Sequence, residues 1–151
     1  MIQRIQSVYL LIVAILTFLV IVSPLMELVA GENMIYRANV LGVYAGNQLE
    51  YNMLPLLMLS VTNIFIVLGA ILLFKKRILQ IRLCVLNILL TAGFYIMLAG
   101  YYWIIRDKFS VEITNLKLTV ALPVINIVLS YLAIRAIGRD EALVRATERL
   151  R

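Results

Sequence analysis

Four stretches of the chain carry no charged residue for the length a helix needs to cross a bilayer. They lie between Arg4 and Glu27 (22 residues), Glu50 and Lys75 (24), Arg82 and Arg106 (23), and Lys117 and Arg135 (17). At 1.5 Å of rise per residue, about 20 residues cover roughly 30 Å of hydrocarbon. Each stretch therefore predicts a transmembrane helix, the last barely long enough. The predicted spans are 5–26, 53–74, 83–105 and 118–137, with loops 27–52 and 106–117 on one side and loop 75–82 and tail 138–151 on the other. Arg4 before an apolar run, with Ala30 beyond it, has the outline of a secretory signal. Val8 to Val22 already fills the apolar region of such a peptide and Ser23-Pro24-Leu25-Met26 continues it, so an uncleaved first span is expected.

The polar segments have patterns of their own. In the second outer loop Phe109, Val111 and Ile113 alternate with Ser110, Glu112 and Thr114, a period of two. In the first, Met34, Tyr36, Ala38 and Val40 share a face, and Ala45-Gly46-Asn47 predicts a turn before Gln48 to Tyr51. A small β-element is expected there. Gly138 predicts the end of the fourth span. Asp140 then caps a short tail helix with a Glu141–Arg145 pair and a narrow edge of Leu143 and Leu150. On the third span Ala92, Gly93, Ala99 and Gly100 form a stripe of small residues, predicting close helix packing, with Gly69 and Ala70 serving the second span similarly. Tyr51, Tyr101, Tyr102, Trp103 and Tyr131 sit near span ends as interfacial anchors.

Composition agrees with lipid as the solvent. The apolar share is 64%, against about 45–50% in soluble domains, and a chain of 151 residues has too little interior to hide the excess. The basic residues set the orientation. Ten fall with the termini and the short loop (Arg4, Lys75, Lys76, Arg77, Arg82, Arg135, Arg139, Arg145, Arg149, Arg151) and four on the other side (Arg37, Arg106, Lys108, Lys117). The positive-inside rule then places both ends in the cytoplasm. The fold class expected is an all-α membrane protein: a four-helix up-down-up-down transmembrane bundle, N-in and C-in, with a small external β-element and a short cytoplasmic C-terminal helix. The net charge of +6 meets anionic lipid headgroups on that side, so no nucleic-acid partner is expected.

Candidate chemistry is sparse. Cys84 is alone and there is no histidine, which excludes an intrachain disulfide and a Ser-His hydrolase. Neither metal nor cofactor ligands are predicted, no catalytic residues are assigned, and an enzyme is not expected. No acid falls within the predicted spans, whereas proton-driven exporters need an embedded carboxylate. Glu27 is the nearest, at a boundary, and Asp107 and Asp140 fall on opposite sides. Within the spans the polar residues are Asn63, Asn87 and Asn126, with Ser60, Thr62, Thr91 and Ser130. Asn63 and Asn126 lie at similar depth. Two readings stay open for them: hydrogen bonding, direct or through water, that ties helices together, and a polar site visited by a solute. Pro24, Pro55 and Pro123 all map to the outer half, as three helix termini or as a shared opening.

The two ends of the chain carry a resemblance. Met1-Ile2-Gln3-Arg4-Ile5-Gln6 running into Val8-Tyr9-Leu10-Leu11 is one part of it. Leu122-Pro123-Val124-Ile125-Asn126-Ile127, Ala133-Ile134-Arg135, Asp140-Glu141-Ala142-Leu143-Val144-Arg145 and Arg149-Leu150-Arg151 are the other. As a set they resemble an uncharacterised bacterial family, domain of unknown function 4293, over the whole chain and more weakly in its middle. The resemblance implies a four-span protein of the bacterial inner (cytoplasmic) membrane and carries over no catalytic residue. The expected function is a non-enzymatic accessory or assembly subunit. Its Gln3, Arg4, Gln6, Arg135, Arg139, Asp140, Arg145 and Arg149 would form a cytoplasmic docking face for a membrane or cytoplasmic protein partner, or else brace the inner end and bind headgroups. The alternative function is a small oligomeric transporter or channel with a polar path through Asn63 and Asn126. Oligomeric state is not readable from the sequence.

Overall fold

The computed structural model describes residues 3–30, 34–74, 76–109 and 112–148. Four helices carry most of them: α1 (Gln3–Val22), α2 (Leu54–Leu72), α3 (Arg77–Phe109) and α4 (Leu122–Glu148). All four are long and apolar enough to cross a membrane, which is compatible with a multi-pass membrane protein. They form a ring in which α1 packs on α2 and α4, and α3 packs on α2 and α4.

Each helix turns one narrow stripe inward. On α3 the buried positions are Gln80, Cys84, Asn87, Thr91, Phe94, Leu98 and Ile105, and on α2 they are Leu56, Ser60, Asn63, Val67 and Ala70. Spacings that alternate between four and three average 3.5 residues, the repeat of helices packed at a shallow left-handed crossing. The polarity is inverted relative to a soluble protein. Asparagine, threonine, serine and glutamine lie inside, while Phe65, Leu72, Ile96 and Trp103 are each more than two-thirds exposed. A helix ring whose outward face is leucine, isoleucine and phenylalanine is stable where hydrocarbon is the solvent.

The loops between helices join in one antiparallel sheet: β1 (Met26–Ala30), β2 (Met34–Ala38), β3 (Gly42–Ala45), β4 (Gln48–Asn52) and β5 (Glu112–Leu116), in the order β4-β3-β2-β1-β5. Gly46 at φ 62° makes the β3–β4 turn, a backbone conformation that costs glycine little. Gly42 is there for space, because a Cβ would collide with the Tyr51 carbonyl oxygen on β4. The sheet's inner face, Met26, Leu28, Ala38 and Val43, packs with Val20, Leu56, Phe94 and Leu98 in one core cluster. A second cluster, Leu10, Val13, Val67, Ala70, Cys84, Ala133 and Ile137, fills the ring farther from the sheet.

The structure departs from expectation in five places. First, α1 stops at Val22, short of Met26. Pro24 has no N–H to continue a helix, and Leu25 instead donates its N–H to the Ala38 carbonyl at 2.8 Å, opening the sheet. Second, α3 begins at Arg77, inside the expected 75–82 loop, and reaches Phe109. Phe109 thus ends a helix, and strand β5 starts at Glu112. Third, Gly138 does not end α4, which runs unbroken to Glu148. The short separate C-terminal helix is the continuation of α4, because Ile137 and Asp140 on either side of Gly138 are both buried and hold the backbone helical. Fourth, the stripe on α3 does not pack within the chain: Ala92, Ala99 and Gly100 are exposed, with nothing near where a Cβ would stand on Gly93 or Gly100. Fifth, Asp140 lies among the helices at only 7% exposure, so an acid does sit in the interior end of a long apolar helix. Lys75, Ser110, Val111, Arg149 and Leu150 lie outside the described residues, as do the side chains of Gln3, Arg4, Leu143 and Arg145.

A polar ladder between the helices as candidate site

The inward stripes bring polar side chains together at three levels. Nearest the sheet, Asn63 Nδ2 on α2 donates to Thr91 Oγ1 on α3 at 3.0 Å, and Asn126 Nδ2 on α4 donates to Thr17 Oγ1 on α1 at 3.0 Å. One rung away, Asn87 Nδ2 on α3 donates to Ser130 Oγ on α4 at 2.7 Å. At the end away from the sheet, Gln6 Nε2 on α1 donates to Asp140 Oδ2 on α4 at 2.6 Å. Arg77 there donates to the Asp140 backbone carbonyl at 3.2 Å and pairs with Glu141 at 3.6 Å.

The hydroxyls explain which way the amides point. Thr17, Ser60 and Thr91 each give their proton to a carbonyl one turn back, on Val13, Leu56 and Asn87. Such a hydroxyl can only accept, so an asparagine facing it presents its NH2 and turns its oxygen elsewhere. Among the described residues the Oδ1 atoms of Asn63 and Asn126 accordingly have no protein donor, that of Asn87 also has none, and neither end of buried Gln80 has a partner.

Asn63 and Asn126 do not bond each other. They line one cavity of about 10 Å³ with Thr17, Ser60, Thr91 and Pro123, the size of one water. Its walls offer two amide oxygens without donors and hydroxyls whose protons are already committed, so it suits a single small hydrogen-bond donor. No carboxylate lines it, and a bare cation at that depth would lack the opposite charge that burial demands. Among the described residues no group of three His, Cys, Asp or Glu side chains could hold a metal ion.

The other residues singled out from sequence fall as follows. Arg135 and Arg139 are exposed on α4, whereas Gln6 and Asp140 are buried against each other and are not available as surface. Glu27 sits on β1 and pairs with Lys117 at 3.0 Å, away from the ladder. Pro55 starts α2 and Pro123 starts α4, the latter buried at the cavity. Tyr51 and Tyr101 meet edge to face at 6.2 Å beneath Lys108, whose Nζ lies 5.2 Å from the Tyr51 ring centre. Sequence reasoning missed Thr17 as the partner of Asn126, Gln80 as a buried amide and the Gln6–Asp140 pair. The signal was present: Gln6, Leu10, Val13, Thr17 and Val20 keep the same four-and-three spacing as the buried stripe around Asn87 on α3.

Four long apolar helices joined at one end by an antiparallel sheet, with polar rungs inside and a lipid-like exterior, define a helical protein whose form is compatible with multi-pass insertion. The chain belongs to the family described as Domain of unknown function (DUF4293), which it matches over residues 2–150. No curated protein matches it.

Proposed function

We propose that the chain is a multi-pass protein of a bacterial inner membrane, an up-down-up-down bundle with both termini in the cytoplasm and the sheet outside. In this reading it acts without chemistry of its own, as an accessory or assembly subunit. The asymmetry of basic residues, ten against four, supports the orientation.

One observation carries the functional reading. The amide NH2 groups of Asn63, Asn87, Asn126 and Gln6 each reach a neighbouring helix, and the space left between Asn63 and Asn126 is about 10 Å³. A transporter needs a path and a binding volume, and typical small-molecule sites are about 300–1,000 Å³. What the protein offers a partner is therefore its surface, and at the cytoplasmic end that surface carries Arg135 and Arg139, both exposed, with Arg145 and Arg149 following in the sequence. Gln6 and Asp140 brace this end from within.

Affinity purification in mild detergent tests the reading. Wild type recovers a reproducible protein partner, and Arg145→Ala/Arg149→Ala loses it. Recovery of the same background from both would overturn the docking role. The second reading, a small transporter or channel, rests on the fact that one cavity does reach both Asn63 and Asn126. Solute or ion flux through purified protein in liposomes, abolished by Asn63→Leu, would favour it.

A further inference from the structure

We propose that the groove between α1 and α4, at the end away from the sheet, binds an anionic phospholipid, its phosphodiester held by Arg135 and Arg139. The inference rests on the reading that this end meets the anionic cytoplasmic leaflet. The groove encloses about 370 Å³ and is walled by Ile5 and Tyr9 from α1 and by Leu132, Arg135, Ala136 and Arg139 from α4.

Its chemistry is graded in one direction. Arg135 and Arg139 are one helical turn apart on the same face of α4, about 6 Å along the axis. Both are exposed, and neither has an ion-pair partner among the described residues. One turn from Arg135 toward the middle of the helices the wall is Leu132, with Tyr9 facing it from α1, while Ala136 stands between the two arginines. An occupant must therefore be anionic at one end and apolar beyond it, which describes a phospholipid and excludes a free phosphate. Guanidinium groups grip phosphate oxygens two at a time through a fixed fork.

The one acid at the groove does not spoil this match. Asp140 is buried, its Oδ2 accepts from Gln6 and its backbone carbonyl accepts from Arg77. It lies against neither arginine as an ion pair, so both positive charges remain for the ligand. Basic pockets between helices on the cytoplasmic side are a recurring form of headgroup site. An acidic protein segment is the competing occupant, but the apolar floor runs into the span, where a polar backbone would be left without partners.

Native mass spectrometry of the purified full chain, with phosphatidylglycerol or phosphatidylcholine of matched acyl chains, tests the site. Wild type should retain phosphatidylglycerol roughly thirtyfold better, the scale expected for two arginines at a membrane surface. Arg135→Gln/Arg139→Gln should bring it down to the phosphatidylcholine level. Lys76→Gln/Arg82→Gln removes the same charge elsewhere at this end and should keep the preference. Equal retention of the two lipids by wild type overturns the proposal without any variant. Equal loss in both double variants overturns it too, by reducing the effect to diffuse charge, as does a bound protein at the groove that phosphatidylglycerol does not displace. None of these outcomes bears on partner docking through Arg145 and Arg149, and sidedness is read separately by labelling.

Discussion

Gln6 and Asp140 stand 134 residues apart in the chain and meet at 2.6 Å between α1 and α4. Truncating either leaves the other buried without its partner. Gln6→Ala is therefore expected to cost about 1–3 kcal/mol, read from thermal unfolding in detergent. Gln6→Leu/Asp140→Leu should recover part of that loss, since replacing both partners removes the orphaned group. A double variant as unstable as the sum of its parts would show that the contact does not hold the helices.

The rungs near the cavity should couple in pairs. Double-mutant cycles on Asn126 with Thr17, and on Asn63 with Thr91, are expected to give interaction energies of about 0.6–1.7 kcal/mol, the range found for hydrogen bonds between membrane helices. The cross pair Asn63 with Thr17, which share the cavity and no hydrogen bond, should give less than about 0.5 kcal/mol. Equal coupling in all three cycles would mean that the cavity acts as one network.

Two glycines should answer oppositely to alanine. At Gly42 the added Cβ collides with the Tyr51 carbonyl and meets a Leu49 methyl at 2.6 Å, so strand β4 must move, at an expected cost of about 1–3 kcal/mol. At Gly100 nothing lies within 4 Å, and Gly100→Ala should stabilise α3 by up to about 1 kcal/mol from helix propensity. The paired melting curves report both. Destabilisation by Gly100→Ala would point to a partner on the exposed stripe.

Sidedness has a direct measurement. Cysteines introduced one at a time, Glu32→Cys and Thr147→Cys, are probed with an impermeant maleimide in intact cells, where native Cys84 is buried. Labelling at 32 and protection at 147 is expected. The reverse pattern inverts the map.

The helices were legible because a run without charges is long in sequence and needs no partner to be recognised. The alternation of Met34, Tyr36 and Ala38 likewise disclosed β2. Strand β1 was hidden for the opposite reason: Leu25, Met26, Leu28 and Val29 are as apolar as the helix before them, so hydropathy fuses strand and span, and only Pro24 marks the join. The inward faces were hard to read because small residues and polar residues compete as packing signals. Ala92 and Gly100 followed one rule, and Asn87 and Thr91, which won, followed the other. Burying an amide among partners satisfies it, whereas a glycine facing lipid leaves nothing unsatisfied. Gly138 misled because glycine permits a left-handed turn without requiring one, and the buried Ile137 and Asp140 decide its conformation.

The sheet gives the molecule a stiff end and a loose one. Strand β1 continues from α1, β4 leads into α2, and β5 bridges α3 to α4, so every helix is tethered to the same hydrogen-bonded plate. Opposite it, α2 and α3 are joined by a short connection, while among the described residues α1 and α4 are held there by Gln6 on Asp140 and by Arg77 on the Asp140 carbonyl and Glu141. Such a body behaves like tongs. Splaying is expected to meet more resistance at the pivot than at the tips, so a ligand held by Arg135 and Arg139 would act on the seam that α4 shares with α1.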